Sequence, residues 1–211
     1  FYMDNLSECM EHFHKAIAIA TEIDSWQTIA LCNANMAAKM SIDESKYNPQ
    51  ITYNGKTRTI AEFCIECLKF ALKIAESEKM EQTISESLEL LSNIYENTGD
   101  VANMLASIDL AVATCSDDEQ RLGMLIRKAI AVKEKLLEPD KALEMMLDIA
   151  NEAEELGLWE TRLMAAIYMC YWRLQENQDD QYAIQTLQHI GQKSGYLLFK
   201  VPGLIDFLKK L

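Results

Sequence analysis

The sequence predicts an all-α fold, a solenoid of about five stacked helical hairpins, and two observations predict it. Apolar residues recur at i, i+3 and i+4 along nearly the whole chain, as they do on one face of an α-helix. Five of these stretches place a small or compact residue, an apolar residue four positions later, and a small or apolar residue three positions after that. The five triplets are Cys9, Phe13, Ala16; Cys64, Leu68, Ala71; Met104, Ile108, Ala111; Ala142, Met146, Ile149; and Ala183, Leu187, Ile190.

The spacing between triplets is nearly constant. The first residues of the last four triplets are Cys64, Met104, Ala142 and Ala183, at intervals of 40, 38 and 41 residues. The first interval, 55 residues, is longer because it carries an insertion. A period of about 39 residues is typical of stacked hairpins, none of which buries its apolar face alone. We therefore expect these four residues to lie in the packed interior.

One repeat carries a recognisable signature. Residues 91–95 read Leu-Ser-Asn-Ile-Tyr, residues 98–100 read Thr-Gly-Asp, and Met104, Ile108 and Ala111 follow. This pattern resembles the tetratricopeptide repeat, in which helix A ends near a Tyr, a Gly-Asp turn follows, and helix B packs through a small residue, a large residue and an Ala. The resemblance extends over nearly the whole chain and implies a right-handed superhelix. Because the repeats exceed the usual length of about 34 residues, they resemble the long-repeat variety of bacterial signalling regulators.

The helices follow from the periodicity in chain order. A B-type helix at 5–23 opens the chain without a preceding A helix, and Phe1 is not an initiator Met, so we expect a fragment of a longer chain. Gly99, Pro139 and Gly157 mark turns, with Pro139 suited to the first turn of a helix. The remaining predicted helices are 25–40 (A), 60–77 (B), 80–97 (A), 100–115 (B), 117–137 (A), 139–156 (B), 158–177 (A) and 180–193 (B).

The insertion at 41–59 departs from the helical pattern. β-prone residues flank Asn54 and Gly55, a dipeptide that favours a two-residue hairpin turn, so we predict a small β-hairpin. The hairpin is either a decoration or a partner contact. Thr59 stands three residues before Glu62, the spacing of a capping box, which predicts the start of the next helix.

The last segment, 196–211, is broken by Pro202 and Gly203 and ends in a short apolar helix at 204–208. Because the end of a solenoid has to be covered, we expect a capping helix over the final hairpin. The alternative is a docking segment for the rest of a parent protein.

Composition agrees with a single elongated domain over 1–211. The chain is 49% hydrophobic and 25% charged, with no apolar run long enough to span a membrane and no signal peptide pattern at its start. Six Cys without disulfide-framework spacing fit a reducing compartment, so a cytoplasmic location is expected. The net charge of −13 disfavours nucleic acid and favours a protein or peptide partner with a basic or apolar surface.

Metal and catalytic sites are not expected. Cys64 and Cys67 form a C-x-x-C pair, and Cys9 and His12 occupy the same register one repeat earlier. Equivalent positions on stacked helices are about 8–10 Å apart, however, whereas the donors of one zinc ion lie within about 4 Å of each other. The three His residues have no nucleophile motif beside them, and the many Glu follow polar helix faces. We therefore predict no metal, no cofactor and no enzymatic activity.

The resemblance implies a binding groove lined by A helices. Its groove positions correspond to Glu86, Glu89, Asn93 and Asn97 in the repeat with the signature. Among the positions at the same offsets elsewhere, Arg127 and Tyr171 complete the predicted partner-binding set. The other positions at these offsets are Leu31, Ala34, Ala38, Met124, Ala131, Met164 and Ile167.

Two functions remain open from the sequence. The first is a protein-interaction module that holds a peptide or a partner domain on its concave face, which suits an extended or helical peptide with basic and apolar side chains. The second is the sensor or regulatory segment of a multidomain bacterial signalling or transcription-regulatory protein, in which ligand binding changes the pitch of the superhelix. Long repeats and the truncated start favour the second somewhat, and no residue decides between them.

Overall fold

Helices make up most of the computed structural model of this chain, which confirms the prediction of a mainly helical protein. The structure describes residues 3–41, 50–53 and 55–210, and side chains within 11–40, at 50 and 52, and within 55–210. The helices in this part of the chain are α1 (Met3–Glu22), α2 (Trp26–Ser41), α3 (Ile60–Glu78), α4 (Glu81–Thr98), α5 (Val101–Thr114), α6 (Asp118–Glu134), α7 (Pro139–Glu155), α8 (Trp159–Glu176), α9 (Gln181–Ser194) and α10 (Leu204–Leu208), with a 3-10 helix at Gly195–Lys200.

Local sequence signals fix the helix ends. The predicted capping box at the start of α3 is confirmed, because the amide of Glu62 donates to Thr59 Oγ1 at 3.1 Å and the amide of Thr59 donates to Glu62 Oε2 at 2.8 Å. Gly99 closes α4 in the left-handed conformation, with φ 77°, which Gly adopts without steric cost. Asp100 then caps α5 by accepting from the amide of Asn103 at 3.1 Å.

Two short strands lie between α2 and α3. β1 (Gln50–Tyr53) and β2 (Lys56–Thr59) pair antiparallel, with Gln50 opposite Thr59 and Tyr53 opposite Lys56. Asn54, on which the predicted turn depends, and the predicted insertion residues 42–49 lie outside the described residues. β2 leads directly into the N-cap of α3, so the strand pair is tied to the start of that helix.

The chain divides into two compact units, and the first is Phe1–Ser116. Here α2 packs against α1, α3 and α4, and α4 packs between α3 and α5. The thiol of Cys64 on α3 donates to the carbonyl of Ala37 on α2, with Sγ and O 3.7 Å apart. Cys64 and Met104 are therefore interior residues, as predicted.

The second unit is Asp117–Leu211. Its helix α7 packs between α6 and α8, which also touch each other, and α9 packs on α8. Ala142 and Ala183 are fully buried in its core, which confirms their predicted placement. From Cys64 onward, every member of the four triplets is at most 5% exposed, whereas Phe13 and Ala16 are half-buried and the side chain of Cys9 is outside the described set.

The C-terminal segment closes the second unit. The 3-10 helix Gly195–Lys200 buries Leu197 and Leu198, and α10 buries Leu204 in the same core. Gly203 joins them with φ 76°, a left-handed conformation that favours glycine. These contacts place the described part of the segment predicted at 196–211 against α8 and α9.

Candidate functional site

The partner-binding residues predicted in the first unit share one face of α4. Glu86, Glu89, Asn93 and Asn97 are spaced by three, four and four residues, so they lie on successive turns of the same side. Both glutamates and Asn97 are exposed, and Asn93 is half-buried. Gln82 donates from Nε2 to Glu86 Oε1 at 2.8 Å, which leaves the second carboxylate oxygen of Glu86 available.

The remainder of α4 explains why this face is presented to solvent. Leu88, Leu91 and Ile94 are at most 3% exposed, and α4 packs against α2, α3 and α5. A helix held by apolar contacts on its other faces keeps its exposed residues in a fixed arrangement. The carboxylates therefore sit on a rigid support and not on a loop.

The neighbouring helix α2 carries an exposed apolar side chain. α2 contacts α4, and on α2 the side chain of Leu31 is 43% exposed. Residues 1–116 contain 17 Asp and Glu but only 8 Lys and Arg, so most of the excess negative charge of the chain lies in the first unit. The first unit therefore presents carboxylates on α4 and an exposed Leu on the contacting helix α2.

In the second unit the two predicted residues have different surroundings. Arg127 on α6 is half-buried. Tyr171 on α8 is also half-buried, and its ring meets that of Phe207 edge to face at a centroid distance of 5.5 Å. A Cβ added to Gly203 would lie 3.2 Å from the Tyr171 hydroxyl. Tyr171 is thus covered by the chain's own C-terminal segment.

Some further groove positions are interior. The prediction that they face an open groove is wrong for Ala34, Met124, Ala131 and Ile167, each at most 8% exposed. Ile167 belongs to the core of the second unit, and Ala34 lies on α2, which packs against three helices. Small and aliphatic residues at these offsets fill contacts between helices because burying them removes apolar surface from water.

The C-x-x-C pair is part of the core. Burial raises the pKa of Cys64 to about 12, with the nearby Cys67 a smaller cause, and burial likewise raises the pKa of Cys67 to about 12. Thiols with such pKa values are protonated at neutral pH and are poor nucleophiles and poor metal ligands. Within the described residues no group of three or more His, Cys, Asp and Glu is arranged to hold a metal ion.

Sequence reasoning missed the exposed aromatic rings of the second unit, among them Trp159, Tyr196 and Phe199. Trp159 opens α8, and Tyr196 and Phe199 lie on the 3-10 helix. Their exposed fractions are 54%, 50% and 75%. The only sequence signal was the three-residue spacing of Tyr196 and Phe199, which places two side chains on one face of a 3-10 helix but not of a strand.

None of the helices among the described residues is both long and apolar enough to cross a lipid bilayer.

No protein-family model, curated protein or solved structure matches this chain. Its function is therefore inferred from its own side chains and their packing.

Proposed function

We propose that this chain is a protein-interaction module that holds a peptide or partner segment on the A-helix face of its first unit, in a solenoid that resembles tetratricopeptide repeats. The observation that carries the proposal is the exposed pair Glu86 and Glu89 on α4, with Asn93 and Asn97 on the same face. Their helix is held on other faces by buried apolar contacts.

The packing supports a repeating arrangement of A and B helices. In the first unit α2 contacts α4 as well as α3, and in the second unit α6 contacts α8 as well as α7. Each A helix in these pairs therefore touches the next A helix, which is the neighbour relation that stacked hairpins require. Side chains on adjacent A helices can then contact one ligand together.

The partner's chemistry follows from the charges. Two carboxylates one turn apart attract Lys and Arg side chains, and exposed Leu31 on the adjacent α2 offers an apolar contact. A peptide with basic and apolar residues on one side matches both. Because the supporting helices are already packed, little ordering cost is expected on the side of the protein.

Charge reversal tests this proposal. Peptides that bind the chain are first selected from a displayed random library, and the tightest is titrated against Glu86→Lys combined with Glu89→Lys. We expect a basic peptide to be selected and its affinity to fall at least about tenfold, because attraction is lost and repulsion is introduced.

A charge-matched control is available on α3. Glu76→Lys with Glu78→Lys makes the same change in net charge on exposed residues of a B helix. We expect the affinity of this variant for the peptide to be within about twofold of that of the original chain at moderate salt. The salt screens the long-range effect of the changed net charge. Equal losses in both double variants at moderate salt would contradict binding at the A-helix face.

Absence of catalysis and a cytoplasmic location are parts of the same proposal. The regulatory alternative, in which a partner changes the superhelix of a signalling protein, stays a prediction, because no described residue distinguishes it from simple binding.

A further inference from the structure

Tyr196 contacts a carboxylate that is adjacent in sequence to Trp159, and Phe199 is a third exposed aromatic residue of the second unit. Tyr196 donates from its hydroxyl to Glu160 Oε1 at 2.5 Å, and Trp159 directly precedes Glu160 on α8. Phe199 lies three residues after Tyr196 on the 3-10 helix, where residues i and i+3 eclipse each other. We call Trp159, Glu160, Tyr196 and Phe199 the aromatic surface.

The rings are exposed on a backbone that is well anchored. Between and beside them, Leu197, Leu198 and Val201 are buried in the core of the second unit. Phe199 nevertheless remains 75% exposed, so burial of its ring contributes little to the stability of the fold. Exposed large aromatics grouped on a fixed support are a feature of interaction surfaces, where Trp and Tyr supply much of the binding energy.

The charges around this surface indicate what it binds. Lys200 places its Nζ 5.5 Å from the centre of the Tyr196 ring and 3.7 Å from Glu160 Oε2. One cation of the chain itself thus lies between a ring and a carboxylate. Among the described residues, no cation lies over the ring of Trp159 or Phe199, although Trp is the strongest cation acceptor of the aromatic side chains.

We infer that the aromatic surface is a docking site for an arginine- or lysine-bearing segment of a partner protein. The cationic side chain stacks on the Trp159 or Phe199 ring and is drawn by the Glu160 carboxylate, in the way that Lys200 already lies beside Tyr196. This site lies on the second unit, and it does not depend on the proposed A-helix face of the first unit.

The direct test is nuclear magnetic resonance of the tryptophan side chains. The chain has three Trp residues, so three indole N–H signals are expected, and the Trp159 signal is the one lost in Trp159→Phe. A short peptide of alternating arginine and glycine is titrated into the labelled chain. We expect the Trp159 signal to shift with saturation, whereas the buried Trp172 does not respond.

A citrulline peptide of the same length controls for charge, because citrulline keeps the shape of arginine without its positive charge. We expect it to shift the Trp159 signal much less. If it shifts the signal equally, or if neither peptide does so up to millimolar concentration, the inference is overturned.

Substitutions then test the individual residues. Phe199→Ala and Glu160→Gln should each weaken binding of the arginine peptide by about two- to fivefold, the range expected for loss of one exposed cation contact. The matched control is Tyr182→Ala, which removes another exposed aromatic ring of the same unit. A loss in Tyr182→Ala equal to that in Phe199→Ala would mean that binding is unspecific and would overturn the site.

The proposed peptide site on α4 and the aromatic surface can be tested independently of each other. Glu86→Lys with Glu89→Lys should leave the Trp159 response to the arginine peptide intact, because these residues belong to the other unit. If that double variant abolishes the Trp159 response, the aromatic surface is not an independent site and this inference is wrong.

Discussion

The ring of Phe207 stands edge-on to the ring of Tyr171, with centroids 5.5 Å apart and ring planes inclined at 71°. Phe207 belongs to α10 and Tyr171 to α8, so α10 contacts a residue that the sequence predicts for partner binding. This contact gives the C-terminal segment a structural role in the second unit.

Removing the Phe207 ring should destabilise the protein. We expect Phe207→Ala to lower the free energy of unfolding by about 1–2 kcal/mol, because an edge-to-face aromatic pair and partly buried apolar area are lost. Phe199→Ala is the matched control and should change it by less than about 0.5 kcal/mol, since that ring is mostly exposed. Urea denaturation of both variants checks this, and equal stabilities would contradict the capping role.

The core positions of the triplets can be tested by overpacking. Ala142 is fully buried in the core of the second unit, so Ala142→Trp should cost about 1–3 kcal/mol. Leu147→Trp, on the same helix at a position that is 52% exposed, should cost little. The measurement is the denaturation midpoint of each variant. An unchanged midpoint for Ala142→Trp would contradict the tight packing around this position.

Helix positions, caps and triplet burial could be predicted because they depend on residues near one another in sequence. Periodic apolar residues specify a buried face, and Thr59 with Glu62 specifies a helix start through two short hydrogen bonds. The four residues on α4 share a face for the same reason, since the spacing alone determines it.

The surroundings of Tyr171 and the aromatic surface could not be predicted in this way. Tyr171 is covered by Phe207, which is 36 residues away in sequence, and Tyr196 is oriented by Glu160 on another helix. Such contacts arise only from tertiary packing. The helix offsets used to predict groove positions do not indicate which of those positions are buried by another helix. Ile167 is one that is buried in this way.

The buried thiols should be slow to react. With pKa values raised to about 12 by burial, Cys64 and Cys67 hold almost no thiolate at pH 8. We expect iodoacetamide to alkylate the half-buried Cys115 before Cys64 and Cys67 and to reach these two only after denaturant is added. Mass spectrometry of peptides after timed labelling measures the order. Rapid labelling of Cys64 in the folded chain would show that its burial is transient.

The cap of α9 predicts a pH dependence of stability. The pKa of Asp180 is lowered because its carboxylate accepts from the amide of Ala183 and pairs with Arg173. A lowered folded-state pKa contributes stability above the unfolded value, about 3.9, and this contribution is lost as pH falls through the folded value. Asp180→Asn should therefore lower Tm at neutral pH. On acidification, the Tm of this variant should fall less than the Tm of the original chain.

The neighbouring Asp179 provides the control for this substitution. It is exposed and lies just outside α9. Asp179→Asn should leave Tm at neutral pH nearly unchanged, because exposed substitutions away from a cap change stability little. If Asp180→Asn showed the same acid profile as the original chain, the Asp180 cap would not contribute to stability.

The most direct test of the proposed function is to locate the bound peptide. The amide signals of the labelled chain are recorded by nuclear magnetic resonance while the selected basic peptide is added. Binding at the A-helix face predicts the largest shifts at Glu86, Glu89 and Asn93 on α4 and at Leu31 on α2, with small shifts on the exposed side of α3. Largest shifts on α3 or α5, with α4 unchanged, would contradict the account.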